Sequence, residues 1–126
     1  MGSMTYDGIT IQFDDRTLTH LQIVIVNKFT KGESFLMSWK DDLSVGDGRG
    51  SWWLSPSIPV YFNFLGGRVP DINPEWLLAL GKSAESSTGL IVTAEDGRLA
   101  PAGHSDGREY PGDLRPNRKN LGRSRT

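Results

Sequence analysis

Alternation with a period of two runs through residues 33–65, ESFLMSWKDDLSVGDGRGSWWLSPSIPVYFNFL, and constrains the fold more than any other feature of the chain. Ile58, Val60, Phe62 and Phe64 fall on one side of an extended backbone, and Pro59, Tyr61, Asn63 and Leu65 on the other. That is the mark of a strand with one buried face. Phe35, Met37 and Trp39 alternate in the same way, and Trp52 with Leu54 does so more briefly. Three strands joined by turn-rich pieces are expected here. The stretch also holds most of the aromatic residues, so a sheet with a heavy apolar face is the centre around which the other segments must be arranged.

On its N-terminal side, two short alternating runs flank Asp7-Gly8. Both central positions of a two-residue hairpin turn need positive φ, which Asp tolerates and Gly adopts freely, so a hairpin is expected. Asp14 and Asp15 then supply an N-cap and an acidic first turn for a helix over roughly residues 15–31, with Gly32 as its stop. Leu18, Leu21, Ile25 and Phe29 form its inward stripe. The β-branched run from Ile23 to Val26 favours a strand locally. The caps at both ends, with no turn residue between them, decide for a helix buried deeply against the sheet.

After the central strands, residues 66–70 read as a flexible connection. Asn73-Pro74-Glu75 then starts a second helix, since Asn caps, Pro suits the first position and Glu opposes the helix dipole. Trp76, Leu77, Leu80 and Ala84 give it an inward face, while Gly81 costs it about 1 kcal/mol relative to alanine. A turn at residues 86–89 leads to a last short strand at residues 90–94. From Asp96 onward the chain is rich in Gly, Pro and Arg with hardly any apolar residues, and it is expected to be disordered. The expected fold is α+β, in the order β-β-α-β-β-β-α-β, with two helices packed on an antiparallel sheet. A chain of 126 residues suits one such domain, placed at 1–95 and followed by a disordered basic tail at 96–126.

Charge is distributed unevenly. Residues 1–95 carry seven Lys or Arg and eleven Asp or Glu, 7 − 11 = −4, whereas residues 96–126 carry 7 − 4 = +3. Five of the basic side chains, Arg115, Arg118, Lys119, Arg123 and Arg125, lie in a terminal stretch without an acid. Such a tail attracts phosphates that the body repels. The absence of cysteine excludes disulfides, thiolate catalysis and Cys-containing zinc sites. The first residues, MGSMTYDG, lack the basic and apolar regions of a signal peptide, and the longest apolar run, residues 21–26, is broken by Gln22. A cytoplasmic protein with no membrane span is expected.

No set of residues amounts to a catalytic constellation. Asp41, Asp42 and Asp47 surround the loop at residues 46–50, which fits neither a calcium loop nor a phosphate loop and reads as a hairpin connection. His20 has no second histidine or carboxylate at ligand spacing and reads as a structural or surface side chain. His104, Ser105 and Asp106 are triad residue types, but three consecutive residues cannot reach triad geometry. No metal or cofactor is expected. Trp39, Trp52, Trp53 and Tyr61 offer aromatic surface of the kind that stacks on bases. Trp53 and Tyr61 lie opposite the main apolar positions of their strands, so they form the exposed pair. Together with the five basic tail residues, they are the candidate nucleic-acid-binding residues.

The opening MTYDGITIQFDDRTLTHLQIVIVNKF, the middle GESFLMSWKDDLSVGDGRGSWWLSPSIPVYFNF and the later INPEWLLALGKSAESSTGL resemble a family of small, uncharacterised bacterial proteins that often carry the label ATP-dependent DNA ligase. The resemblance covers residues 4–95. It implies ligase or nucleotidyl transferase activity, and Tyr6-Asp7-Gly8 looks like the end of the adenylation motif KxDG. In that motif a lysine takes the AMP, and the matching position here is Thr5, whose hydroxyl cannot form a phosphoramidate. The leading expectation is therefore a non-catalytic binding module associated with nucleic acid or a nucleic-acid-handling protein. The alternatives are the nucleotidyl transferase that the label implies, and a protein-interaction module such as a homodimer using Trp53 and Tyr61.

Overall fold

Asp7 and Gly8 take φ values of 52° and 83°, and the turn they make joins β1 (Gly2–Tyr6) to β2 (Ile9–Phe13). The two strands pair antiparallel from Tyr6 opposite Ile9 to Gly2 opposite Phe13. The computed structural model describes residues 1–41 and 48–104. The first strand reaches back to Gly2, which is buried and part of the packing. A Cβ there would lie 2.7 Å from Asp15 Oδ1 and 2.8 Å from both the Asn63 carbonyl and Leu18 Cδ2, so only glycine fits.

Helix α1 (Asp15–Thr30) starts where its cap predicts. The Asp14 carboxylate accepts the Thr17 backbone N–H at 2.9 Å and the Thr17 hydroxyl at 2.8 Å, and the chain leaves the helix before Gly32, at φ 71°. Leu18, Leu21 and Ile25 are fully buried, each contributing about 1.5–3 kcal/mol. The β-branched run is divided between the two sides of the helix: Val24 and Ile25 point inward, Ile23 and Val26 outward.

The three strands expected from the central stretch are β3 (Phe35–Asp41), β4 (Arg49–Leu54) and β5 (Val60–Asn63). Strands β3 and β4 pair antiparallel, with Trp39 opposite Gly50. The Trp39 indole occupies the space over that glycine, 2.5 Å from where a Cβ would sit. Strand β5 instead joins β1 at the far side of the sheet. Helix α2 (Pro74–Glu85) then returns the chain to β3, beside which lie β6 (Leu90–Ile91) and β7 (Pro101–His104).

The strand order is β4-β3-β7-β2-β1-β5, with β6 also paired to β3. The sheet is mixed, where an antiparallel one was expected. Both β6 and β7 run parallel to β3, while the β1–β2, β1–β5, β2–β7 and β3–β4 pairs are antiparallel. Parallel neighbours need a long crossover, and β4, β5 and α2 together supply one. A second departure is that β7 lies beyond Glu95, where the sequence suggested that the domain ends. Ala100 and Ala102 fill tight positions in the core, and Pro101 sits at the start of the strand, where a missing N–H is tolerated. Residues 105–126, which hold the rest of the tail expected to be disordered, lie outside the described residues, as do residues 42–47.

Both helices pack on one face of the sheet, α1 against β1 and α2 against β3 and β6. Met4, Ile11, Phe13, Met37, Trp39, Trp52 and Leu54 meet them there in one continuous core. The outer face is largely polar, with cross-strand hydroxyl pairs Thr5–Thr10 and Ser38–Ser51, each at 2.8 Å. Among the described residues, no helix is long and apolar enough to cross a membrane.

Candidate functional site

Strand alternation turns Trp52 into the core and leaves Trp53 outside, 64% exposed on β4, across from Leu36. On β5 the same rule half-buries Val60 and Phe62 and leaves Tyr61 62% exposed, across from Thr5. Both candidate aromatics are thus at the surface. They are not neighbours in the sheet, since β4 and β5 are the two ends of the strand order. Beside Trp53 is a recess of about 250 Å³ whose walls include Ser34, Leu36, Ser86 and Ser87. Arg115, Arg118, Lys119, Arg123 and Arg125 lie outside the described residues. So do Asp42, Asp47, Ser105 and Asp106, and the side chain of His104.

The residues that resemble an adenylation motif have structural partners. Asp7-Gly8 is the hairpin turn, and the Thr5 hydroxyl is engaged with Thr10. The Tyr6 ring is buried edge-on against Trp52. Its hydroxyl accepts the Ser55 N–H at 2.8 Å and donates to the Trp53 carbonyl at 3.3 Å, satisfying two backbone groups at the end of β4.

A larger polar cluster, not foreseen from the sequence, joins α1, the start of α2 and the segment after β6. His20 is fully buried and stacks on Trp76, ring centres 4.3 Å apart. Its Nδ1 donates to the Arg16 carbonyl at 2.8 Å and its Nε2 accepts the Asn73 backbone N–H at 3.0 Å, which defines the Nδ1–H tautomer. Asn73 caps α2 by accepting the N–H groups of Glu75 and Trp76, and its amide donates to Glu95 Oε2 at 2.8 Å. Arg16 grips both oxygens of that carboxylate and also donates to the Asp71 carbonyl. The indole N–H of Trp76 closes the cluster on the Thr93 carbonyl at 3.0 Å.

The Arg16 guanidinium, followed by the Asn73 amide, holds the Glu95 carboxyl down at about 2, from an ordinary 4.5. Asp15 is lowered by the Gly66 backbone N–H and then that of Leu65, which tie the turn after β5 to the first turn of α1. Every polar atom of the His20 ring is occupied, and both Glu95 oxygens are engaged. The cluster is arranged to position backbone, not to exchange protons with a substrate. The cap at Asn73 was legible in sequence; its link to His20 and Glu95 joins positions too far apart for local patterns to reveal.

Farther along the same helices, a groove of about 530 Å³ opens between α1 and α2, lined chiefly by Ile23, Val24, Asn27, Leu77, Leu78 and Gly81. Among the described residues, no group of three or more His, Cys, Asp or Glu is placed to hold a metal ion.

Among the described residues, fold and surface define a small α+β module whose polar clusters brace its own backbone and whose surface includes exposed aromatic and apolar side chains. The chain belongs to the family described as Domain of unknown function (DUF7882), whose model matches residues 1–95. No curated protein and no solved structure matches it.

Proposed function

We propose that the chain is a small non-catalytic binding module that associates with nucleic acid or with a protein that handles it. Trp53 and Tyr61 serve as stacking platforms, and Arg115, Arg118, Lys119, Arg123 and Arg125 neutralise phosphate. The observation that carries this reading is the exposure of two large aromatic rings, 64% and 62%, on a sheet face whose neighbouring side chains include Ser51, Thr5 and Asn63. Rings of this size normally dominate a core or an interface. Stacking on a base uses such a ring without demanding a particular sequence. The candidate catalytic motif, by contrast, is consumed by the β1–β2 hairpin.

Titrating single-stranded DNA, duplex DNA and RNA into the full chain at several salt concentrations tests the proposal. Binding should weaken steeply with salt. With five tail cations, the slope on duplex DNA should not exceed a magnitude of about 4.5. Trp53→Ala and Tyr61→Ala should each cost about 1–3 kcal/mol on single strands. No binding at low salt would remove the direct nucleic-acid reading. A covalent AMP adduct after incubation with labelled ATP and magnesium would replace it with the nucleotidyl transferase reading.

A further inference from the structure

The α1–α2 groove has the features of an interface. The two helices run in the same direction, His20 meeting Trp76 near their starts and Lys31 meeting Glu85 near their ends. In the groove Leu78 is 60% exposed and Ile23 39%, and Val26, at 46%, is exposed on α1 outside the groove's lining. Gly81 lines the groove, yet nothing among the described residues accounts for a glycine there. Its φ is not positive, and a Cβ would meet no atom within 4 Å. A glycine in mid-helix costs about 1 kcal/mol relative to alanine. A glycine without a side chain lets another backbone or side chain approach closely.

The charges around the groove select the occupant. Glu75, Leu78 and Lys82 are all exposed and stand at positions i, i+3 and i+7, so they form one stripe along α2. Neither the Glu75 carboxylate nor the Lys82 ammonium has a partner among the described residues. The acid lies 78 − 75 = 3 residues before Leu78 and the base 82 − 78 = 4 after it. An antiparallel copy of the stripe, turned about an axis at Leu78, sets each Lys82 against Glu75 of the other helix and leucine against leucine. Contact with itself across a two-fold axis requires a surface that is its own complement, and this stripe is one.

We propose that the outer face of α1 and α2 is a self-association surface, at which two copies of this chain meet about a two-fold axis with α2 antiparallel to α2. Leu78 enters the groove of the second copy beside Gly81, and two Lys82–Glu75 pairs close the contact. This face is distinct from the Trp53 and Tyr61 positions. Loss of nucleic-acid binding and loss of the dimer are therefore separate outcomes.

Sedimentation of the full chain over a wide concentration range tests it, with circular dichroism confirming that each variant is folded. A monomer–dimer equilibrium is expected. Lys82→Glu sets acid against Glu75 and Glu75→Lys sets base against Lys82, so each alone should raise the dimer dissociation constant roughly tenfold. An equimolar mixture of the two variants should recover a heterodimer, because every contact across the axis is again between opposite charges. That recovery also shows both variants to be folded. Leu78→Ser, at an exposed site, should abolish the dimer without altering the circular dichroism. A chain that is monomeric at every concentration overturns the proposal, as does a mixture that associates no better than its components.

Discussion

The two ends of the helix pair are built to opposite rules. At the start of α2, Arg16, His20, Asn73, Trp76 and Glu95 are joined so completely that each side chain has at least one defined partner. Farther along the same helix, Leu78 stands in solvent, and among the described residues the Lys82 side chain has no partner and nothing lies within 4 Å of a Cβ at Gly81. The first end fixes where α2 sits on the sheet. The second contributes little to that task, and its residues are free to be chosen for contact with something else. Residue types that look chemically interesting, a buried histidine beside an arginine and a carboxylate, thus turn out to be bracing, while plain leucine and glycine carry the unexplained surface.

The largest effect should come from the braced end. His20→Phe keeps a ring on Trp76 but strands the Asn73 N–H, while the Arg16 carbonyl keeps its helical partner, the backbone N–H of residue 20. Leaving such a group unsatisfied costs about 1–3 kcal/mol, and a loss in the upper part of that range is expected in urea denaturation. Gly50→Ala forces the Trp39 indole to move and should cost about 1–3 kcal/mol, read in the same way with the near-ultraviolet dichroism of the tryptophans. Asn73→Ala removes the α2 cap and should cost about 1 kcal/mol.

Acid should weaken the braced end selectively. The Glu95 carboxyl is depressed in the folded chain, so its stabilising contribution is complete above about 4.5 and is lost as pH falls toward about 2. Asp15 and Glu33 are lowered too and add to the same slope. Denaturation midpoints across that window should fall less steeply in Glu95→Gln than in the unaltered chain. An effect of opposite sign belongs to the groove: Gly81→Ala should stabilise the isolated monomer by about 1 kcal/mol.

Much of the fold was legible because its signals are local. Asp7-Gly8, the Asp14 cap, Asn73-Pro74 and the alternation through Trp52, Trp53 and Tyr61 each depend on a few adjacent residues, and the structure bears out each of them. The parallel placement of β6 and β7 beside β3 depends on the path of the whole chain, which no window displays. Strand β7 escaped for a different reason: Pro101, Ala102 and Gly103 have no strand propensity to notice, and they are held there by the β2 and β3 edges. The His20 cluster was hidden by separation, since Arg16 and Glu95 are 79 positions apart. The exposed aromatics were found, but that they lie on opposite outer strands was not.

The contrast between the two ends can be measured in one experiment on two neighbouring positions of α2. Trp76 is 6% exposed and Leu78 is 60% exposed. Urea denaturation of Trp76→Ala and Leu78→Ala, at a concentration low enough to keep the chain monomeric, should give a loss of about 3–5 kcal/mol for the first and a change within about 0.5 kcal/mol for the second. Comparable losses at both positions would contradict the account, because Leu78 would then be holding the fold together and its surface would not be free for a partner.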